Sequence, residues 1–199
     1  MSLAAASVRP GAVLADLLPA VTAPRARVRD AALVVGGAAL TGVAAQIAVP
    51  VPGSPVPVTG QTFAALLVGA SLGARRGFLS MALYAVVGVL GVPWFAEAKA
   101  GPGGASFGYV LGMLLAVTVV GALARRGGDR GLLRTAGTML AGEALIYAIG
   151  VPYLALSTGM SLSEAVVAGL VPFLVGDALK AVLAMGALPA AWKLAGRKG

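Results

Sequence analysis

Six apolar stretches, at about 31–49, 60–74, 77–93, 107–124, 135–157 and 164–192, take up most of this 199-residue chain, and most charges fall between them. A helix needs about 20 apolar residues to cross a hydrocarbon core roughly 30 Å thick. Inside that core every backbone N–H and C=O must be bonded within the segment, which leaves helices as the solution for runs of this length. Only 11% of the residues are charged, against about 25% in soluble domains, and the mean hydropathy is +0.94. The chain reads as an all-α integral membrane protein, a six-transmembrane-helix bundle. Its second stretch is short for a perpendicular crossing, so it is expected to be tilted, broken or packed beside loop structure. Residues 1–29 read as a mobile cytoplasmic N-terminal arm, 30–195 as the six-span membrane domain and 196–199 as a basic cytoplasmic tail.

Basic residues set the orientation, because Lys and Arg concentrate in cytoplasmic loops. With the N-terminus inside, Arg9, Arg25, Arg27, Arg29, Arg75, Arg76, Arg125, Arg126, Arg130, Arg134, Lys193, Arg197 and Lys198 all lie on that side. These are thirteen of the fifteen Lys and Arg residues; Lys99 falls in an outer loop and Lys180 inside a span. Both termini are therefore expected to be cytoplasmic. The net charge of +8 follows from this topology, and with no basic stripe interleaved with aromatics it does not indicate nucleic acid. The N-terminus does not read as a cleaved signal, since its short apolar run is broken by Asp16 and ended by Pro19.

Three ionisable groups fall inside spans: Glu143, Asp177 and Lys180. A charge at mid-bilayer costs about 2.5–3.5 kcal/mol on insertion scales and by default marks a function. Asp177 and Lys180 are three apart, which on a helix puts both on one face, able to act on a common ligand. A structural ion pair that fixes helix packing is the alternative. Asp177 lies about a dozen residues into a helix entered from the outer face, so a small polar ligand would bind in the outer half. Above it, Pro50, Pro52, Pro55 and Pro57 give a stiff extended loop, followed by the neutral hydrogen-bonding residues Gln61 and Thr62. That loop is either a lid or an ordinary connection. Tyr109, Tyr147 and Tyr153 are candidate walls, and Trp94 and Phe95 candidate closures, although Trp94 fits an interfacial anchor better. In the first span the small pairs Ala32–Gly36 and Ala38–Gly42 would let another helix approach closely.

Several chemistries are excluded. The chain has neither Cys nor His, which removes thiolate nucleophiles, thiolate metal sites and imidazole acid–base catalysis. It has no G-x-x-x-x-G-K-[ST] phosphate loop and no second carboxylate suited to an aspartyl dyad. It does not read as an enzyme, and no cofactor is expected.

The run Pro55-Val56-Pro57-Val58-Thr59-Gly60-Gln61-Thr62 resembles the P-V-P-x-T-x-Q-T motif of the BioY family, the biotin-specific S components of energy-coupling-factor transporters. The likeness continues in order through Gly73-Ala74-Arg75-Arg76-Gly77, Leu83-Tyr84, Gly88 to Phe95, Gly108 to Gly112 and Pro172 to Lys180, covering about 31–190. The stretch Gly104 to Tyr109 departs from the family's usual Gly-Pro-Thr-Gly-Gly-Tyr. The resemblance implies a six-helix substrate-capture subunit of the plasma membrane that binds biotin from outside. It further implies docking on a membrane scaffold (T) subunit driven by two ABC-type ATPases. Carried over, Asp177 and Lys180 match the family's D-x-x-K ligand pair, Glu143 its buried acid, and Ala38 and Gly42 its small-residue docking motif. An S component for another small vitamin shares this architecture. A stand-alone proton-coupled carrier using Asp177 or Glu143 is a rival of a different class, and a purely structural scaffold is the weakest reading.

Overall fold

The computed structural model describes residues 11–20 and 22–196. Arg9, Arg197 and Lys198, and with them most of the expected C-terminal tail, lie outside the described residues. Helix α1 (Ala23–Ala45) starts where Thr22 accepts a hydrogen bond from the Arg25 amide and Pro24 occupies the first turn, a position where its missing N–H costs nothing. It therefore begins well before the expected boundary, and Arg25, Arg27 and Arg29 are on helix rather than in an arm.

Strands β1 (Ala48–Val49) and β2 (Val58–Thr59) pair antiparallel, Ala48 opposite Thr59 and Val49 opposite Val58. The proline run between them is thus the tip of a hairpin, tied by the Ser54 hydroxyl bonding within the turn. Helix α2 (Gln61–Val89) is interrupted at Gly73, with φ 81 and ψ 170, a region open essentially to glycine alone. A Cβ built on Gly77 would lie 3.2 Å from the Cα of Gly69, whereas eight residues of straight helix span about 12 Å. The two halves of α2 are folded back against each other.

Helices α3 (Phe107–Arg125), α4 (Leu132–Thr158), α5 (Leu162–Gly169) and α6 (Leu174–Gly196) complete the bundle. A 3-10 turn, Val171–Phe173, separates α5 from α6; Pro172 has no N–H to continue the α5 ladder. By length and hydropathy, five helical elements among the described residues can cross a membrane, α2 and the α5–α6 pair each counted once. α2 packs on α1 and α3, and α4 on α3 and α6. The α3–α4 contact is close because Gly112 faces the Ile146 backbone, with a built Cβ only 2.7 Å from its carbonyl oxygen.

At the basic end, residues expected to form a mobile arm are packed. Val13 is fully buried, Leu14–Leu17 form a 3-10 turn, and Arg125 and Arg130 donate to the carbonyls of Gly11 and Ala12. Asp16 pairs with Arg76 at 2.8 Å. Burial raises the Asp16 pKa, but the Arg76 and Val13 hydrogen bonds and the charges of Arg76 and Arg125 outweigh it and hold the carboxyl below its usual range.

Asp129, also at this end, is buried and accepts from the Trp192 indole N–H at 2.6 Å, while its Oδ1 has no partner. The Arg130 guanidinium lies 4.4 Å over the Trp192 ring, a cation–π contact. Burial pushes the Asp129 carboxyl up, against the lowering effects of Trp192, its own backbone and Arg130. An acid with a raised folded-state pKa withholds stability above that pKa, and the penalty vanishes below its unfolded value of about 3.9. Asp129→Asn keeps an acceptor for Trp192 and should raise the melting temperature at neutral pH. The gain should close as the pH is lowered toward about 4, which a thermal-shift series across pH reads directly. A constant difference at every pH would remove the charge from the explanation.

Candidate substrate-binding site

Asp177 lies in the first turn of α6, where the helix dipole favours a negative charge, and Lys180 follows one turn on. Lys180 Nζ donates to Asp177 Oδ1 at 2.9 Å and to Thr62 Oγ1 at 2.9 Å. Tyr147, from α4, donates its hydroxyl to Asp177 Oδ2. One carboxylate thus joins α4 to α6, and one ammonium joins α6 to the start of α2. Both ionised side chains are largely withdrawn from solvent, Lys180 at 14% and Asp177 at 10% side-chain exposure. An ammonium has three N–H donors, and these two hydrogen bonds use two of them.

Six of the candidates named from the sequence, Gln61, Thr62, Tyr109, Tyr147, Asp177 and Lys180, line one enclosed cavity under the hairpin. Its roof is Val56, Pro57 and Thr59 from the hairpin and Ala96 from the loop before α3. Tyr109 donates to the Gly169 carbonyl at 2.7 Å, meets Tyr147 edge-on with centroids 6.2 Å apart, and stacks on Phe173. The cavity's volume is about 30 Å³, against roughly 300–1,000 Å³ for pockets that take drug-sized ligands. A ligand of that size needs the residues lining the cavity to move apart. A wider groove of about 570 Å³ lies outside, between the hairpin tip and α5; its one ionisable residue, Glu164, is engaged in capping Ser161.

Glu143 does not line this cavity. One turn before Tyr147 on α4, it lines a neighbouring, mainly apolar cavity of about 280 Å³ that shares Tyr147, Asp177 and Lys180 as a wall. It is buried, and its Oε2 has no hydrogen-bond partner. Tyr153 does not line the site; its hydroxyl donates to the Pro102 carbonyl. Trp94 and Phe95 anchor the outer loop. The Trp94 indole donates to the Tyr84 carbonyl at 3.0 Å, and both rings pack on Tyr84. Gln46 holds the same loop through the carbonyls of Trp94 and Phe95 and the amide of Ala98. Gln46, Ser106 and Met113 carry no spacing signal that marks them as site or support residues, whereas Thr59 and Phe173 fall within the motif runs.

The small-residue motif also needs correcting. Ala38 and Gly42 face the interior of the chain, and a Cβ on Gly42 would lie 2.9 Å from the Trp94 ring. They pack the chain on itself and offer no outer face for docking. The pair Ala32 and Gly36 is exposed, with open space beyond Gly36.

Residues 18–197 match the family model described as BioY family. The chain belongs to the BioY family. Among its relatives, the "Probable biotin transporter BioY" of Pyrococcus horikoshii is 36% identical over 162 residues, 80% of this chain and 93% of the relative. The "Biotin transporter BioY" of Thermotoga maritima is 36% identical over 149 residues, covering 73% and 85% of the two chains. The "Biotin transporter BioY2" of Lactococcus lactis subsp. cremoris is 34% identical over 154 residues, covering 76% and 83%. The fold is also that of a crystal structure of the S-component for biotin from an ECF-type ABC transporter, with a TM-score of 0.76 over 87% of this chain and 95% of that one, at 20% identity. With its apolar helices, BioY membership makes this a multi-pass membrane protein. The family match begins at residue 18, so the packed segment Gly11–Leu17 precedes it.

Proposed function

We propose that this chain captures biotin at the outer face of the plasma membrane, as the substrate-binding S component of an energy-coupling-factor importer. The observation that carries the reading is the buried Asp177–Lys180 pair, held by Tyr147 and Thr62 in an aromatic-walled cavity under the outer loops. Biotin offers two ureido N–H donors, a strong carbonyl acceptor and a carboxylate. An ionised Asp accepts from N–H, and Lys donates to carbonyl or carboxylate. The Tyr109–Tyr147–Phe173 wall suits a fused apolar ring. Binding exchanges contacts within the site for contacts to the ligand. The relatives' names point to the same substrate.

The bundle crosses the membrane six times, counting the two halves of α2 separately, with both termini cytoplasmic. This is supported by the fold-back at Gly73 and by the gathering of Asp16, Arg76, Arg125 and Arg130 at one end. Chemical energy comes from partners: a membrane scaffold subunit and two ABC-type ATPases. The α1 face bearing Ala32 and Gly36 is where a scaffold helix can approach. Gly36→Trp should keep biotin binding and abolish co-purification with the scaffold; an intact complex carrying it would remove that face from the reading.

Calorimetry of the purified chain in detergent tests the ligand, with thiamine and riboflavin as controls. Selective one-to-one biotin binding is expected, and a folded sample that binds none of it would overturn the assignment. Glu143, buried and lacking a partner for Oε2, favours a second reading as a proton-coupled carrier. Biotin uptake by the chain alone in liposomes, collapsed by an uncoupler, would establish that reading.

A further inference from the structure

A groove of about 860 Å³ runs between α1 and the second half of α2, sharing no residue with the ligand cavity. One end is basic, with Arg27, Arg75 and Arg125; the rest is apolar, with Val34, Leu79, Leu83 and Val86. From Arg75 to Val86 the helix rises about 16 Å, roughly the depth of one leaflet of a 30 Å core. The groove opens to the lipid-facing side, where Leu79 and Val86 are 44% and 55% exposed. Its polarity is therefore that of an amphiphile standing in a bilayer, with a cationic end at the headgroup level and a greasy track for a chain.

The charges at the basic end are not all spent internally. Arg76 is engaged by Asp16 and Asp30, and Asp30 also takes Arg29. Arg125 reaches Gly11 and Asp16. Arg27 and Arg75 are exposed and make no hydrogen bond or ion pair among the described residues. Once Asp16 and Asp30 are matched, the groove retains a net positive end. Basic pockets between membrane helices on the cytoplasmic side hold anionic headgroups.

We propose that this groove is a binding site for an anionic phospholipid, its phosphate held by Arg27 and Arg75 and one acyl chain lying along Val34, Leu79, Leu83 and Val86. Only its assignment to the cytoplasmic leaflet rests on the orientation given above. The test uses the full chain in detergent with phosphatidylglycerol or phosphatidylcholine added, and native mass spectrometry to count retained lipid. At roughly fivefold for each basic side chain, phosphatidylglycerol should be retained about tenfold or more over phosphatidylcholine. Added salt should erode that preference, and soluble glycerol phosphate should not compete. The double variant Arg27→Ala/Arg75→Ala should lose the preference while still binding biotin, since neither residue approaches that cavity.

Equal retention of the two lipids by the unaltered chain would overturn the proposal, and so would undiminished preference in a folded double variant. Displacement of the lipid by glycerol phosphate would overturn the acyl-chain half. Should the double variant not fold, the salt series on the unaltered chain decides: a preference insensitive to salt would overturn it. Loss of scaffold association in the double variant with lipid retention unchanged would assign the groove to a protein partner.

Discussion

Asp177→Asn and Lys180→Ala should each lower biotin affinity by well over tenfold, measured by calorimetry on the purified variants. Asp177 Oδ1 and Thr62 Oγ1 are the side-chain acceptors of the Lys180 ammonium, and Asp177 also takes the Tyr147 hydroxyl. Removing one member strands the other in a largely water-free site. Breaking a buried ion pair costs about 3–5 kcal/mol, and about 1.4 kcal/mol is already tenfold. Thr62→Ala should cost far less, about two- to tenfold, because a neutral hydrogen bond is worth roughly 0.5–1.5 kcal/mol and Lys180 keeps its carboxylate. The ordering of the three variants is the useful readout. Unchanged affinity in both charge variants would reduce the pair to a structural clasp.

Gly112→Leu should be strongly destabilising, at about 3 kcal/mol or more. A Cβ at Gly112 would lie 2.7 Å from the Ile146 carbonyl oxygen and 2.8 Å from its Cα. Backbone cannot swing aside as a flexible side chain can, so α3 and α4 must separate. That contact lies between Tyr109 and Met113 on α3 and Tyr147 on α4, all lining the cavity, so any folded fraction should also bind biotin poorly. Gly137→Leu is the matched control. It adds the same side chain to α4 at an exposed glycine with nothing within 4 Å, and it should leave the melting temperature unchanged. Equal melting temperatures for the two variants would show that the α3–α4 approach does not limit stability.

Much of the molecule was legible along the chain. Low charge and long apolar runs dictate membrane helices, because the bilayer offers the backbone no other partner. Spacing of three places Asp177 and Lys180 on one helix face, and the 2.9 Å contact follows. The gap between the second and third stretches, at about 74–77, falls close to the interruption at Gly73, whereas the sixth stretch, read as one span over about 164–192, is broken at Val171–Phe173.

What the chain did not reveal is which way each helix faces. In water a helix advertises its buried side by alternating with polar residues, but in lipid both sides are apolar. Ala38–Gly42 and Ala32–Gly36 therefore look alike in sequence, although one pair packs inward and the other is exposed. The same ambiguity hid Glu143, one turn from Tyr147 yet in a different cavity. Tertiary packing alone brings Thr62 to Lys180 across 118 residues and Tyr147 to Asp177 across 30. It also seats Gly11–Leu17 against the basic end, because Arg76, Arg125 and Arg130 converge only once α2, α3 and the loop after α3 are packed. Local periodicity determined the material of this protein and its charged pair; contacts between distant segments decided what that pair can hold.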